Sequence, residues 1–240
     1  MDFFKKHFTK MPADVQRTGL GRWFEILEER FMDLFWANLA TLICLLPAVI
    51  CFVIMMTMKD FRWWIPGMIF TVCASPAITA MHSVCLRIVL RMHYWIWDEY
   101  KNAAKKEWKS SVLLTIMLGI FWSAFIMALY MVWTVEGRIP LFLLVIFAVY
   151  GYFLTGITMF SYQLISVVDL PLRYILKDSL LLIFAGKMRS VFSIFLLIVC
   201  VIFGYCQGFF AGIIAVVGGL AIVTMSTCLI NETSIKRCLK

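Results

Sequence analysis

LFWANLATLICLLPAVICFVIMMTM, residues 34–58, runs for 25 positions without an Asp, Glu, Lys or Arg. A helix needs about 20 consecutive apolar residues to cross a bilayer. This stretch therefore predicts a membrane crossing, and the rest of the chain follows from asking where the next ones lie. Four more charge-free intervals come after it, at 63–86, 110–135, 139–168 and 190–231, with lengths of 24, 26, 30 and 42 residues. The first four intervals each supply one crossing. The last supplies two if the chain turns near its middle, and Gly204, Tyr205, Cys206, Gln207 and Gly208 offer turn chemistry there. A single helix over 190–231 would be about 60 Å long, twice the hydrocarbon thickness. The expected architecture is an all-α transmembrane bundle with six crossings, near 34–58, 63–86, 110–134, 140–168, 188–204 and 209–230.

Composition agrees. Of 240 residues, 63% are hydrophobic and only 15% charged, and the mean hydropathy is +0.92. A soluble domain is roughly half apolar and a quarter charged. A disulfide scaffold, a disordered tail and an ordinary soluble enzyme are excluded on that ground. The apolar runs are continuous rather than alternating, unlike barrel strands. The eight cysteines form no CxxC pair and lie mostly inside apolar runs, where a free Cys acts as a small hydrophobe. The first apolar core follows a stretch with six acidic residues and is too long for a signal peptide core, so it is expected to remain as an anchor.

The net charge of +8 is unevenly placed. Residues 1–33 hold six Lys or Arg, loop 87–109 six, loop 169–189 four and the tail three; the intervening loops hold only Lys59, Arg62 and Arg138. A distribution of 19 against 3 is a strong positive-inside signal, and it places both termini in the cytoplasm. The expected organisation is a cytosolic region 1–33, a membrane domain 34–230 and a basic cytosolic tail 231–240.

Three stretches read as cytosolic interfacial helices. RWFEILEERFMD, 22–33, repeats Trp23, Ile26, Leu27, Phe31 and Leu34 at helical spacing and leads into the first crossing. YWIWDEYKNAAKKEWK, 94–109, puts Trp97, Tyr100, Ala104 and Trp108 on one face. Lys101, Lys105 and Lys109 lie beside it and Lys106 opposite. Aromatic bodies at the lipid interface with lysines reaching phosphates fit that pattern, and a docking face for a cytosolic protein fits it too. The basic patch is too short to point to nucleic acid. LRYILKDSLLLIFAG, 172–186, follows Pro171 and spaces Leu172, Ile175, Leu176, Ser179, Leu180 and Ile183 on one face.

Within the crossings, Pro47, Pro66 and Pro76 are breakers that neighbouring helices can accommodate. Asn38, Ser75, Thr79, His82, Ser83, Gln163 and Ser166 approach the cytosolic ends. His82 stands out as a candidate buried polar group that needs a partner, either as a structural histidine or as a proton or substrate ligand. Gly204, Gly208 and Gly212 recur every four residues, with Ala211, Ala215 and Gly219 alongside. This small-residue series predicts close packing of the last two helices. No HExxH, GxSxG, Walker A sequence or paired intramembrane carboxylate is present. No enzymatic activity and no cofactor or metal are expected.

FMDLFWANLATLICLLPAV at 31–49, SPAITAMHSVCLRIVL at 75–90, IWDEYKNAAKKEWKSSVLL at 96–114 and LRYILKDSLLLIFAG at 172–186 together resemble the YesL-like (DUF624) family of integral membrane proteins. The resemblance covers most of residues 20–230, and the family's GPA is SPA here at 75–77. It implies a small protein of the bacterial plasma membrane, with some members associated with carbohydrate uptake. It carries no catalytic or ligand residues onto this chain.

The leading expectation is an accessory or regulatory component of a transport system. Membrane lipids and a permease or other membrane protein are its expected partners, nucleic acid is not, and a homo-oligomer is left open. The chain has no ATPase domain and no permease coupling motif. A structural or assembly module is the first alternative. An autonomous transporter or channel is the second, though no inverted repeat or charged midplane site is visible.

Overall fold

The computed structural model describes residues 20–58, 60–92, 95–134, 140–168, 170–186, 188–207 and 218–238. Among them are eight α-helices and no strand: α1 Leu20–Met58, α2 Trp64–Val89, α3 Ile96–Lys106, α4 Trp108–Thr134, α5 Leu141–Ile165, α6 Leu172–Ala185, α7 Met188–Gln207 and α8 Leu220–Cys238. A short 3-10 turn, Phe61–Trp63, precedes α2. The fold is the expected all-α bundle. Four helices are long and apolar enough to cross a membrane: α1, α2 with its 3-10 turn, α4 and α5; α6 and α7 taken together make a fifth. These helices mark the chain as a membrane protein.

The centre of the bundle is α2. Its second half is buried nearly throughout, from Ala74 to Val89. The reason lies in side-chain size: Ala74, Ser75, Ala77, Thr79, Ala80, Ser83 and Cys85 are small, so neighbours can approach the backbone from several sides. One apolar cluster joins α2 to α1, α3 and α8 around Leu34, Val84 and Met225. A second joins α4, α5, α6 and α7 around Leu114, Phe160, Ile175 and Ile194. Lipid is as apolar as these side chains, so close packing and hydrogen bonding, rather than expulsion from water, hold the membrane-embedded part together.

Several boundaries differ from expectation. The lead-in helix expected over 22–33 joins the first crossing across a kink: α1 takes in both, and Arg30 between them is non-helical, with φ −123° and ψ 17°. The helix expected over 94–109 covers only Ile96–Lys106, so Trp108 and Lys109 open α4. On α6, Ile175, Ser179, Leu182 and Ile183 are buried while Leu180 is exposed. Five residues from Ile175 place Leu180 about 140° around the helix, off the buried stripe. The turn expected at 204–208 is not made over 204–207, because α7 continues through Gly204, Tyr205 and Cys206 to Gln207; Gly208 lies outside the described residues.

The expected tail 231–240 is helical as far as Cys238, with Asn231, Glu232 and Ile235 buried. The apolar part of α8, Leu220–Thr233, is too short to count as a crossing by itself, and the remainder of the expected sixth crossing, 209–217, lies outside the described residues.

Two glycines set close approaches. A Cβ on Gly156 of α5 would lie 2.8 Å from both Ile183 Cδ1 of α6 and Ile194 Cδ1 of α7. Gly186 lies where α6 and α7 meet at 106°, and a Cβ there would fall 1.8 Å from Ser190 Oγ. That hydroxyl donates to the Leu182 carbonyl at 2.9 Å, which also accepts the Gly186 N–H at 3.0 Å.

Candidate functional site

One end of the bundle gathers most of its charged contacts. Arg22 at the start of α1 lies 2.6 Å from Glu232 of α8 and also donates to the Val89 carbonyl at the end of α2. A cation at a helix C-terminus is favoured by the exposed carbonyls and the macrodipole. Arg91 meets Glu25 at 3.2 Å. Glu99 of α3 lies 2.6 Å from Arg87 Nε and accepts a 2.6 Å hydrogen bond from Ser83. The first turn of α1, the last turn of α2, α3 and the end of α8 are thus joined in one ionic layer.

Within that layer α3 is fixed on one side and open on the other. Tyr100 and Ala103 are buried against the bundle. The Tyr100 hydroxyl bonds to Thr41 Oγ1 at 3.0 Å, and burial pushes its phenol up to about 12, with the Thr41 hydrogen bond working in the opposite direction. Lys101, Lys105 and Lys106 are exposed; Lys106 Nζ is 3.4 Å from Glu107. Trp97 is half-exposed and sits 6.2 Å from Trp36. The aromatic face expected to lie in lipid is therefore divided: Tyr100 turns inward, Ala103 rather than Ala104 is fully buried, and Trp97 stays outside. The structure keeps Trp108 and Lys109 close in sequence but places them on α4 beyond a break at Glu107, with Lys109 Nζ 5.8 Å from the Trp108 ring centroid.

His82 is 8% exposed. Its ring lies parallel to Tyr162 at 5.7 Å between centroids, and its Nδ1 is buried with no hydrogen-bond partner. It lines a chamber of about 400 Å³ between α2, α4, α5, α7 and α8, with Phe52 of α1 also on the wall. Of the four glycines expected to pack the last helices, Gly204 is inside α7, Gly208 and Gly212 lie outside the described residues, and Gly219 is partly buried next to Gly218 at the start of α8. Gly218 has φ +137°, a conformation that glycine adopts without steric penalty.

Sequence reasoning missed Arg22, Glu99, Asn231 and Glu232 as structural groups. Asn231 donates to Ser193 Oγ at 3.0 Å. The available signal was helical phase: Asn231 closes the charge-free interval, Glu232 follows it, and both continue the α8 helix. Among the described residues no group of three or more His, Cys, Asp or Glu could hold a metal ion. Compared with known protein families, with characterised proteins and with solved structures, the chain matches none.

Proposed function

We propose that the chain is an accessory component of a membrane transport system, such as one for carbohydrate uptake, that docks its partner through the lysine-bearing face of α3. The carrying observation is the rigid mounting of that helix. Glu99 and Tyr100 hold one side to α1 and α2, while Lys101 and Lys105 point their charge away from the bundle as exposed residues. A flexible basic loop would lose entropy on binding; a helix already fixed in place avoids most of that cost. The resemblance to YesL-like proteins supports the transport setting, and the positive-inside distribution supports a cytoplasmic side for this face.

The test replaces Lys101, Lys105 and Lys106 of α3, together with the neighbouring Lys109 of α4, by Gln and purifies the protein from its native membrane in mild detergent. A membrane permease is expected to co-purify with the unaltered protein, and its recovery to fall roughly tenfold in the variant, the effect of about 1.4 kcal/mol of lost contact. Full retention of the partner with a properly inserted variant would overturn docking. Loss of anionic-lipid binding alone would reassign the lysines to the bilayer surface.

A further inference from the structure

We propose that the chamber beside His82 is a binding site for a neutral single-chain amphiphile, held with its hydrocarbon chain along α2 and its hydrogen-bonding head at His82. The shape comes first. The chamber's wall on α2 extends from Trp64 to His82. Eighteen residues of helix rise on the order of 25 Å, so about 400 Å³ is spread along a long, narrow space. That suits an extended chain better than a compact solute. The volume falls in the roughly 300–1,000 Å³ range of small-molecule sites.

The chemistry of the wall selects the ligand. Among the described residues no Asp, Glu, Lys or Arg lines the chamber, so an ionic head would be left without a counter-charge at membrane depth. Most polar groups on the wall are already engaged. Trp64 Nε1 donates to Ser123 at 2.8 Å, and Trp122 Nε1 to Thr158 at 3.1 Å. The Thr158 hydroxyl in turn donates to the Leu154 carbonyl. Thr115 bonds to the Tyr162 hydroxyl at 2.7 Å, and Thr227 accepts from Gln163. With their hydrogen-bonding groups committed, these residues offer apolar surface. His82 Nδ1 and the Thr155 and Thr224 hydroxyls are the exceptions on this wall; of these, Nδ1 is the fully buried and unpartnered one, and a buried polar atom is stabilised by acquiring a partner. One hydroxyl or carbonyl at the end of an alkyl chain supplies it.

The test uses the full chain in phosphatidylcholine nanodiscs and a diazirine-bearing hexadecanol as probe. Diazirine-bearing palmitic acid and hexadecylamine serve as charged comparisons. Hexadecanol labelling is expected to saturate, to be competed by unlabelled hexadecanol, and to map to the chamber residues Ile78, Trp122 and Met159. The charged probes should label these residues at least roughly tenfold less. His82→Phe keeps a ring against Tyr162 and should weaken labelling about fivefold, the loss of one hydrogen bond. Thr155→Trp should fill the chamber and remove saturable labelling. Labelling that fails to saturate and spreads over the lipid-facing α4 residues Leu113, Ile116 and Ile120 would overturn the proposal. Equal labelling by the charged probes, or undiminished labelling of a folded Thr155→Trp protein, would overturn it as well. Where that variant does not fold, mapping and competition on the unaltered chain decide.

Discussion

Arg91 is the residue at which backbone and side-chain requirements conflict. Its φ is +54°, in the left-handed region where a side chain is strained. It occupies the position after the cap of α2, where helices commonly carry glycine. The surrounding hydrogen bonds are those of a Schellman end: Met92 N–H to the Arg87 carbonyl at 3.0 Å and Arg91 N–H to the Ile88 carbonyl at 3.1 Å. The arginine is accommodated there while its guanidinium meets Glu25. Two substitutions separate these effects. Arg91→Ala loses the ion pair and keeps the strain; Arg91→Gly loses the pair and relieves the strain. The glycine variant is expected to be the more stable by about 1 kcal/mol, measured by thermal unfolding of the full chain in detergent. An alanine variant as stable as the glycine variant would refute the strain argument. Nothing in the sequence singles out Arg91. The positive φ belongs to the helix end, where glycine would be the expected signal, and the contact that occupies the arginine, Glu25, lies outside any local pattern. His82 was legible, because a histidine in an apolar run has few ways to be satisfied. Its stacking on Tyr162 was not, since that depends on how α2 and α5 face each other.

The start of α8 shows what an element needs when it begins beside buried helices. The first N–H groups of any helix lack intrahelical partners, and at membrane depth water does not supply them. Asn38 of α1 does so here: its Oδ1 accepts from the Ala221 N–H at 3.1 Å, and the side chain is fully buried. Cys85 of α2 reaches the Ala221 carbonyl at 3.6 Å. Asn38→Leu is therefore expected to cost about 1–3 kcal/mol. It should also speed hydrogen exchange at the first turn of α8 more than in the middle of α2. Uniform exchange across both helices would show that Asn38 does not secure this terminus.

The crossings α1, α2, α4 and α5 were readable because lack of charge over a bilayer's width is a local property of the chain. The end of α7 and the extent of α8 were not, because Gly204 and Gly208 offer turn chemistry whether or not the chain turns there. The glycine series also drew attention away from α2, where Ala, Ser, Thr and Cys provide the same close approach without a four-residue glycine spacing.

At the scale of the whole molecule, the ionic layer constrains the topology. Arg22 and Glu232 lie near opposite ends of the chain and meet at 2.6 Å, and Arg22 also touches the end of α2. The first turn of α1 and the last turns of α8 are therefore at the same end of the bundle as α3. The segment between α1 and α2, with Asp60 and Arg62, is at the other end, since α2 alone rises about 39 Å between them. If the basic end faces the cytoplasm, the orientation that the 19 to 3 distribution of Lys and Arg favours, then residues 60, 105 and 236 have defined sides. We expect a cysteine introduced as Asp60→Cys, in a chain cleared of its native cysteines, to react with a membrane-impermeant maleimide in intact cells. Lys105→Cys and Lys236→Cys should react only after permeabilisation. The two lysine positions test different things. External labelling at 105 would invert the bundle and remove the cytosolic docking face. External labelling at 236 with 105 protected would put the ends of α1 and α8 on opposite faces of the membrane and would overturn the contact between Arg22 and Glu232, because that pair would then have to join across roughly 30 Å of hydrocarbon.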